Sequence, residues 1–460
     1  MRDFLKECLV DENGFVELRY HDKEARSFFA EKDRIESSSV KRRTGIGVRV
    51  LEEGTWGFAA TGSLSKESIK NAILSARKAA QVSSSLRQTK VKGLAQGKFA
   101  KGDFLGKGTQ DFRKSTEEKL ELILSIQKEA MKSSKQLKSV GCGYSEIFET
   151  KAIVSTDGAD VSFEIYRPEF RVSATAEEGS QLESGNESIG VTGGWDCLFR
   201  DKSPNQISEI AVKTAIDLLG SDLPQGGLAT VILSPSIVGL LVHEAIGHTV
   251  EADFVLAGSV ARGKIGHRVG SDLVTLCDSG TSEFQEGAGG SIPVDDEGIL
   301  TEKTTIIQDG ILKNYLHNRE TANFFGVPPT GSARSWEYSD IPLIRMRNTF
   351  LMPGNSSLQE MIESTKNGYF LDGAKNGQAD ATGEFMFAVQ RAYRIENGKI
   401  TKMLKGVSVS GLAFEVLGAV DMVSKEFKWD LGSGHCGKGQ PAKVDAGGPY
   451  VRTKVLLGGA

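Results

Sequence analysis

The chemically capable side chains concentrate in Val242-His243-Glu244-Ala245-Ile246-Gly247-His248. Two of the chain's six histidines stand there, with a glutamate directly after the first. Neutral imidazole is the commonest metal-binding side chain, and a carboxylate next to a ligating histidine is placed to act as a general base. In the zincin pattern H-E-x-x-H the two histidines are at i and i+4, on one helix face. Here the second is at i+5. At ~100° per residue, i and i+4 lie roughly 40° apart around an α-helix, whereas i and i+5 lie roughly 140° apart. A straight helix cannot aim both rings at one ion, so the segment is expected to kink, form a π-bulge or unwind between His243 and His248. Gly247 tolerates such a distortion at little steric cost. Without further ligands, the same pattern also suits two hydrogen-bonded histidines in a buried helix.

A catalytic zinc site takes three protein ligands and keeps a fourth position open. The segment Gly432-Ser433-Gly434-His435-Cys436-Gly437-Lys438-Gly439-Gln440 is a candidate source of the third. Its glycines let the backbone come close to a site, and a thiolate is a strong zinc ligand. Taken alone, a cysteine in a glycine-rich loop such as Cys436 more often has no special role, and His435 reads as a loop histidine bonded to backbone.

These residues need a scaffold. In the first ~130 residues, 14–20, 35–42, 45–51 and 56–61 have strand composition. Ser65 caps an amphipathic helix to Ala80, with Ile69, Ile73, Leu74 and Ala80 inward. The Lys- and Gly-rich stretch 90–108 is expected to be an irregular connection. Ser115-x-x-Glu118 is a capping box that opens a helix to about Met131. Strands are expected at 139–149, 151–156, 161–166 and 170–177, with Asp157-Gly158 as a hairpin. A helix spans 204–219, capped by Ser203, with Pro204 at its first position and Gly220 beyond its end. Leu223-Pro224-Gln225-Gly226-Gly227 marks a domain boundary, giving an N-terminal α/β domain over 1–222 and a β-rich domain over 228–460. In the second, a strand at 229–233 leads through Ser234-Pro235 into the histidine helix, whose apolar residues cover most of its circumference, so it is expected to be buried. Further strands are expected at 304–308, 341–348, 388–396, 404–410 and 451–457, with Asn397-Gly398 as another hairpin. The whole reads as α+β, the second half barrel-like or built of stacked sheets around one buried, kinked helix.

Length and composition bound the function. The chain has 460 residues and a formal net charge of −4, so no basic excess points to nucleic acid. No apolar run is long enough to span a bilayer, and the charged N-terminus lacks a signal-peptide core. The five cysteines, Cys8, Cys142, Cys197, Cys277 and Cys436, are odd in number and widely spaced, which points to a reducing, cytoplasmic setting.

The segment HEAIGH with the following Glu251-Ala252-Asp253-Phe254, together with CGKGQ at 436–440, resembles the TldD branch of the TldD/PmbA metallopeptidases. Gly45-Ile46-Gly47-Val48-Arg49-Val50, Asp296-Glu297-Gly298, Gly310-Ile311-Leu312 and Arg345-Met346-Arg347-Asn348-Thr349 with Met352-Pro353-Gly354 resemble the family in the same order, so the likeness spans nearly the whole chain. It implies a zinc-dependent peptidase of small or unfolded peptides, with His243, His248 and Cys436 as ligands and Glu244 activating a zinc-bound water. It also implies dimers, either of one chain or with a TldE/PmbA-like subunit that lacks the zinc motif. Substrates are expected to bind extended, by strand addition to a sheet edge. Tyr315, His317, Arg319 and Arg345 lie in the β-rich half and are candidates for substrate contact, with an ordinary surface or ion-pair role as the favoured reading. Two other readings remain: a non-catalytic peptide-binding scaffold, which has no physical need for all four site residues, and a metal hydrolase of non-peptide amides, which zinc and Glu244 would serve equally well and which only substrate assays separate.

Overall fold

Alternation along one strand explains how the two halves of the chain are layered. In the strand Phe15–Glu31, Val16 and Leu18 are buried, and so are Glu17, Arg19, His21 and Lys23. Successive side chains point to opposite faces. The apolar face meets the helix Lys66–Ser84 through Ile69, Ala72, Ile73 and Ala76. The charged face meets the second half of the chain. Arg19 donates to the Asp340 carbonyl at 2.5 Å, Lys23 to the Trp336 carbonyl at 3.3 Å, and Arg49, from the neighbouring strand, to Glu297 at 3.0 Å.

The computed structural model describes residues 1–104, 114–430 and 432–459. A seven-stranded sheet runs in the order Thr55–Thr61, Arg34–Glu52, Phe15–Glu31, Leu137–Ser155, Asp160–Glu178 and Lys101–Phe104, with Gln181–Gly190 also paired to Asp160–Glu178. The helices Thr116–Lys132 and Pro204–Leu219 cover it through Ile123, Ile126, Ile207 and Ala211, packed with Phe28, Val140, Phe170 and Val172. Both capping boxes form, Ser115 with Glu118 and Ser203 with Gln206. Pairs of expected short strands fuse: 35–42 and 45–51 are one strand, as are 139–149 and 151–156, and 161–166 and 170–177. Leu74 is exposed, not inward, because the buried stripe of its helix runs through Ile69, Ala72, Ile73, Ala76 and Ala80. Within the expected irregular stretch 90–108, Lys101–Phe104 pairs parallel with Asp160–Phe163, while 105–108 lie outside the described residues.

The second half is built on a closed five-stranded barrel. Gly227–Leu233, Asn367–Ala379, Glu384–Glu396, Val407–Leu412 and Asp445–Gly459 pair in turn, and Asp445–Gly459 returns to pair with Gly227–Leu233. Asn397 and Gly398, both at positive φ, turn Glu384–Glu396 into Lys399–Leu404, as a hairpin of this kind requires. Residues 341–348 do not form one strand; only Leu343–Ile344 and Asn348–Leu351 pair, because Arg345 and Arg347 between them are fully buried and held by side-chain bonds. The largest apolar cluster joins Val231, Leu233, Val451 and Val455 of the barrel to Ile237, Val238, Val242 and Ile246 of the histidine helix. That helix packs tightly. A Cβ on Gly239 would lie 2.8 Å from the Ala446 carbonyl group.

Candidate metal centre

Ser234 opens the histidine helix and Pro235 occupies its first turn, where a missing N–H costs nothing. Pro235–Leu240 is α-helical, Leu241–Gly247 is π-helical and His248–Val250 is 3₁₀. The backbone N–H of His248 donates to the carbonyl of His243, an i to i+5 bond. This wider turn brings residues five apart onto one face, which the α-helical repeat forbids. Gly247 serves differently from expectation. Its φ of −55° and ψ of −50° are ordinary helical values, so no backbone freedom is needed there. What it provides is room, because a Cβ would sit 1.9 Å from Met346 Sδ.

The ligand atoms of His243, His248 and Cys436 all lie within 4.8 Å of one another. Cys436 Sγ is 3.1 Å from His248 Nε2, and the two imidazole rings stand nearly perpendicular, 5.4 Å between centres. Cys436 is presented by a hairpin, His435–Gly437 paired with Pro441–Lys443. Arg345 fixes that hairpin from beneath, donating to the Cys436 carbonyl at 2.6 Å and the Gln440 carbonyl at 2.8 Å. His435 points away from the cluster, against Trp336 and toward Glu169. Glu244 is partly exposed at the edge of the site, with Oε2 3.8 Å from His248 Nε2.

The cluster's electrostatics favour a cation. His243 is buried, yet neither ring nitrogen has a hydrogen-bond partner. An unpaired buried polar group costs ~1–3 kcal/mol, and a lone ring nitrogen aimed at a thiolate is relieved by a shared metal ion. Burial pushes the Cys436 thiol up, but the nearby His243 and the hydrogen bond with His248 outweigh it and hold the thiol at about 4. Burial lowers His248, while its bonds to Cys436 and Glu251 raise it to about 10. Two imidazoles and a thiolate are donors that suit zinc.

Sequence reasoning passed over the residues that hold this cluster. Glu251, fully buried, accepts from His248 Nδ1 at 3.2 Å and from Lys438 Nζ at 2.9 Å. Glu251 and Lys438 fall inside the two motifs that carry the family likeness, which was the available signal. Arg345, read as a surface or ion-pair residue or a substrate contact, is a buried anchor bonded to backbone carbonyls. Tyr315, His317 and Arg319 are also buried, bonded to the Ala261 carbonyl, Thr321 and the Ala95 carbonyl respectively.

Comparison with known proteins places this α+β chain in one class. Residues 16–80, 111–219 and 226–457 match the first, central and C-terminal domains of the PmbA/TldA metallopeptidases. The chain belongs to this family. It is 37% identical to a metalloprotease of Methanocaldococcus jannaschii, over 97% of both chains. It is 30% identical to a zinc metalloprotease TldD homolog of Saccharolobus solfataricus, over 90% of this chain and 89% of the other. Among solved structures, TldE from Thermococcus kodakarensis superposes with a TM-score of 0.78 at 19% identity, covering 99% of this chain and 98% of that one. A Thermotoga maritima structure superposes with a TM-score of 0.81 at 22% identity, covering 99% of each chain. No described helix is long and apolar enough to cross a membrane.

Proposed function

We propose that this chain is a zinc-dependent peptidase of small or unfolded peptides, in which His243, His248 and Cys436 bind the zinc and Glu244 is the general base. The observation that carries this reading is the convergence of the three donor groups, with both nitrogens of buried His243 left without a partner. Relatives named as metalloproteases along nearly the whole chain support it.

Zinc, when bound, supplies a Lewis acid that polarises the scissile carbonyl and acidifies water. Glu244 accepts the proton of the attacking water. Its carboxylate lies on the side of His248 that bears Nε2, toward the ligand cluster, and remains partly open to solvent. The same carboxylate then delivers that proton to the leaving amine. Glu251 lies on the opposite side of the His248 ring and is fully buried, so the two carboxylates divide the work: one moves a proton, the other holds the ring. Main-chain pairing at a sheet edge suits peptides of varied sequence. The likeness in fold to TldE supports a pairing with a TldE/PmbA-like subunit or with a second copy of this chain.

Glu244→Gln keeps the volume of the side chain and removes its basicity. We expect it to retain zinc and to lose cleavage of an unfolded peptide by at least ~100-fold, the usual scale of general-base catalysis. Unchanged cleavage in a zinc-loaded Glu244→Gln protein would refute the role of Glu244.

A further inference from the structure

Lys438 lies two residues beyond Cys436, on the hairpin that presents the thiolate. Its ammonium group is largely buried and makes three bonds on the far side of the site. It donates to Glu251 Oε2 at 2.9 Å, to Asp253 Oδ1 at 2.8 Å and to the Ile344 carbonyl at 3.0 Å. It also stands 4.3 Å from the centre of the Phe254 ring. Glu251, Asp253 and Phe254 all follow His248 in the chain, and Glu251 is the residue that accepts from His248 Nδ1. One side chain thus connects the cysteine hairpin to the histidine segment. Within the cluster itself, Cys436 Sγ approaches His248 Nε2 to 3.1 Å.

We propose that Lys438 is a positioning residue that latches the Cys436 hairpin to the His248 segment through Glu251, so that the three ligand atoms are assembled before a metal arrives. The inference rests on the zinc reading above. Two geometric facts support the latch. First, Glu251 bonded to Nδ1 leaves Nε2 as the nitrogen directed at Cys436, so the acceptor that Lys438 holds also sets which ring atom faces the ion. Second, Glu251 is fully buried, and a buried carboxylate is held in place only by partners of this kind. Asp253, more exposed, and the Ile344 carbonyl complete a three-point grip that leaves the ammonium no freedom to swing away.

Lys438→Met keeps most of the length of the side chain and removes the charge. The whole chain, wild type and variant, is stripped of metal and titrated with zinc against a competing chelator. It is then loaded with cobalt(II), whose thiolate charge-transfer band reports whether Cys436 is bound. We expect zinc affinity to fall ~10–100-fold, the scale seen when a partner of a metal ligand is removed. We also expect the cobalt–thiolate band to weaken, far-ultraviolet circular dichroism to stay unchanged, and Lys438→Arg to recover part of the affinity. Glu251→Gln, which loosens the same latch from the other end, carries the test if Lys438→Met does not fold. Wild-type affinity and an undiminished thiolate band in the variant would overturn the role of Lys438 and leave the zinc reading standing. A wild-type chain that takes up neither zinc nor cobalt would overturn both.

Discussion

Gly247→Ala puts the packing around the π-turn to a quantitative test. At a φ of −55° an alanine is conformationally welcome, and on helix propensity alone the change would stabilise by ~1 kcal/mol. The new methyl, however, would stand 1.9 Å from Met346 Sδ, about 1.5 Å short of ordinary van der Waals contact. Met346 is fully buried, and a gap of that size exceeds what a packed core yields, so its side chain has to leave its site. Losing a buried methionine costs ~2–5 kcal/mol. Taking ~3 kcal/mol from the lower half of that range and setting the propensity gain of ~1 kcal/mol against it, Gly247→Ala should destabilise the zinc-free protein by about 2 kcal/mol. The sign should reverse once the obstacle is gone. In a Met346→Ala background, Gly247→Ala should be neutral or stabilising by up to ~1 kcal/mol, which implies a coupling energy of about 2–3 kcal/mol. Urea unfolding of the four proteins, with zinc chelated throughout, measures this. If Gly247→Ala costs the same in both backgrounds, the close approach is not what keeps a glycine between the two histidines, and the packing argument fails.

Three further outcomes follow from the same physics. In the zinc-free protein, Cys436 should remain a thiolate until the pH falls to about 4, as read by ultraviolet thiolate absorbance against a Cys436→Ser control; a midpoint near the ordinary 9.0 would contradict the stated role of His243 and His248. A depressed thiol stabilises the fold above its unfolded pKa, and that contribution is lost as pH falls through about 4. A raised imidazole stabilises below its unfolded pKa and loses its contribution as pH rises through about 10, so the pair supports the zinc-free fold between those limits. Asp278→Ala should cost ~3–5 kcal/mol in a denaturant titration, because it strands the fully buried Arg347 guanidinium, now bonded to Asp278 at 2.7 Å; a loss under ~1 kcal/mol would show that pair to be dispensable. Gly432→Ala should weaken zinc binding, since its Cβ would fall 1.9 Å from the Gly190 carbonyl oxygen, rigid backbone across the junction from the segment leading to Cys436; unchanged affinity by chelator competition would mean that this contact does not set the hairpin.

Local chemistry made much of the fold legible in sequence. The capping boxes at Ser115 and Ser203, the Asp157-Gly158 and Asn397-Gly398 turns and the Ser234-Pro235 helix start all rest on interactions within a few residues, and they form as the residue types require. The irregular turn between His243 and His248 was legible for the same reason, since five-residue spacing and helical pitch conflict on inspection. What escaped depends on distant partners. Asn367–Ala379 reads NGYFLDGAKNGQA, poor in β-branched residues, and becomes a strand because neighbours on both sides pair with it. Closure of the barrel joins residues 227–233 to 451–457, a pairing no local pattern encodes. Arg345 has the composition of a surface residue, and only the hairpin folded over it reveals a buried donor to the Cys436 carbonyl. Glu251 and Lys438 lay in plain view within the motifs, but their partnership exists only once residues 187 positions apart meet.

The central claim is that one ion is held by His243, His248 and Cys436. X-ray absorption spectroscopy at the zinc edge, on the zinc-loaded wild-type chain, tests it most directly. The expected shell is one sulfur at ~2.3 Å and two imidazole nitrogens at ~2.0–2.1 Å, with the sulfur lost in Cys436→Ser. A zinc shell of nitrogen and oxygen alone, or a sulfur shell that persists in Cys436→Ser, would contradict it.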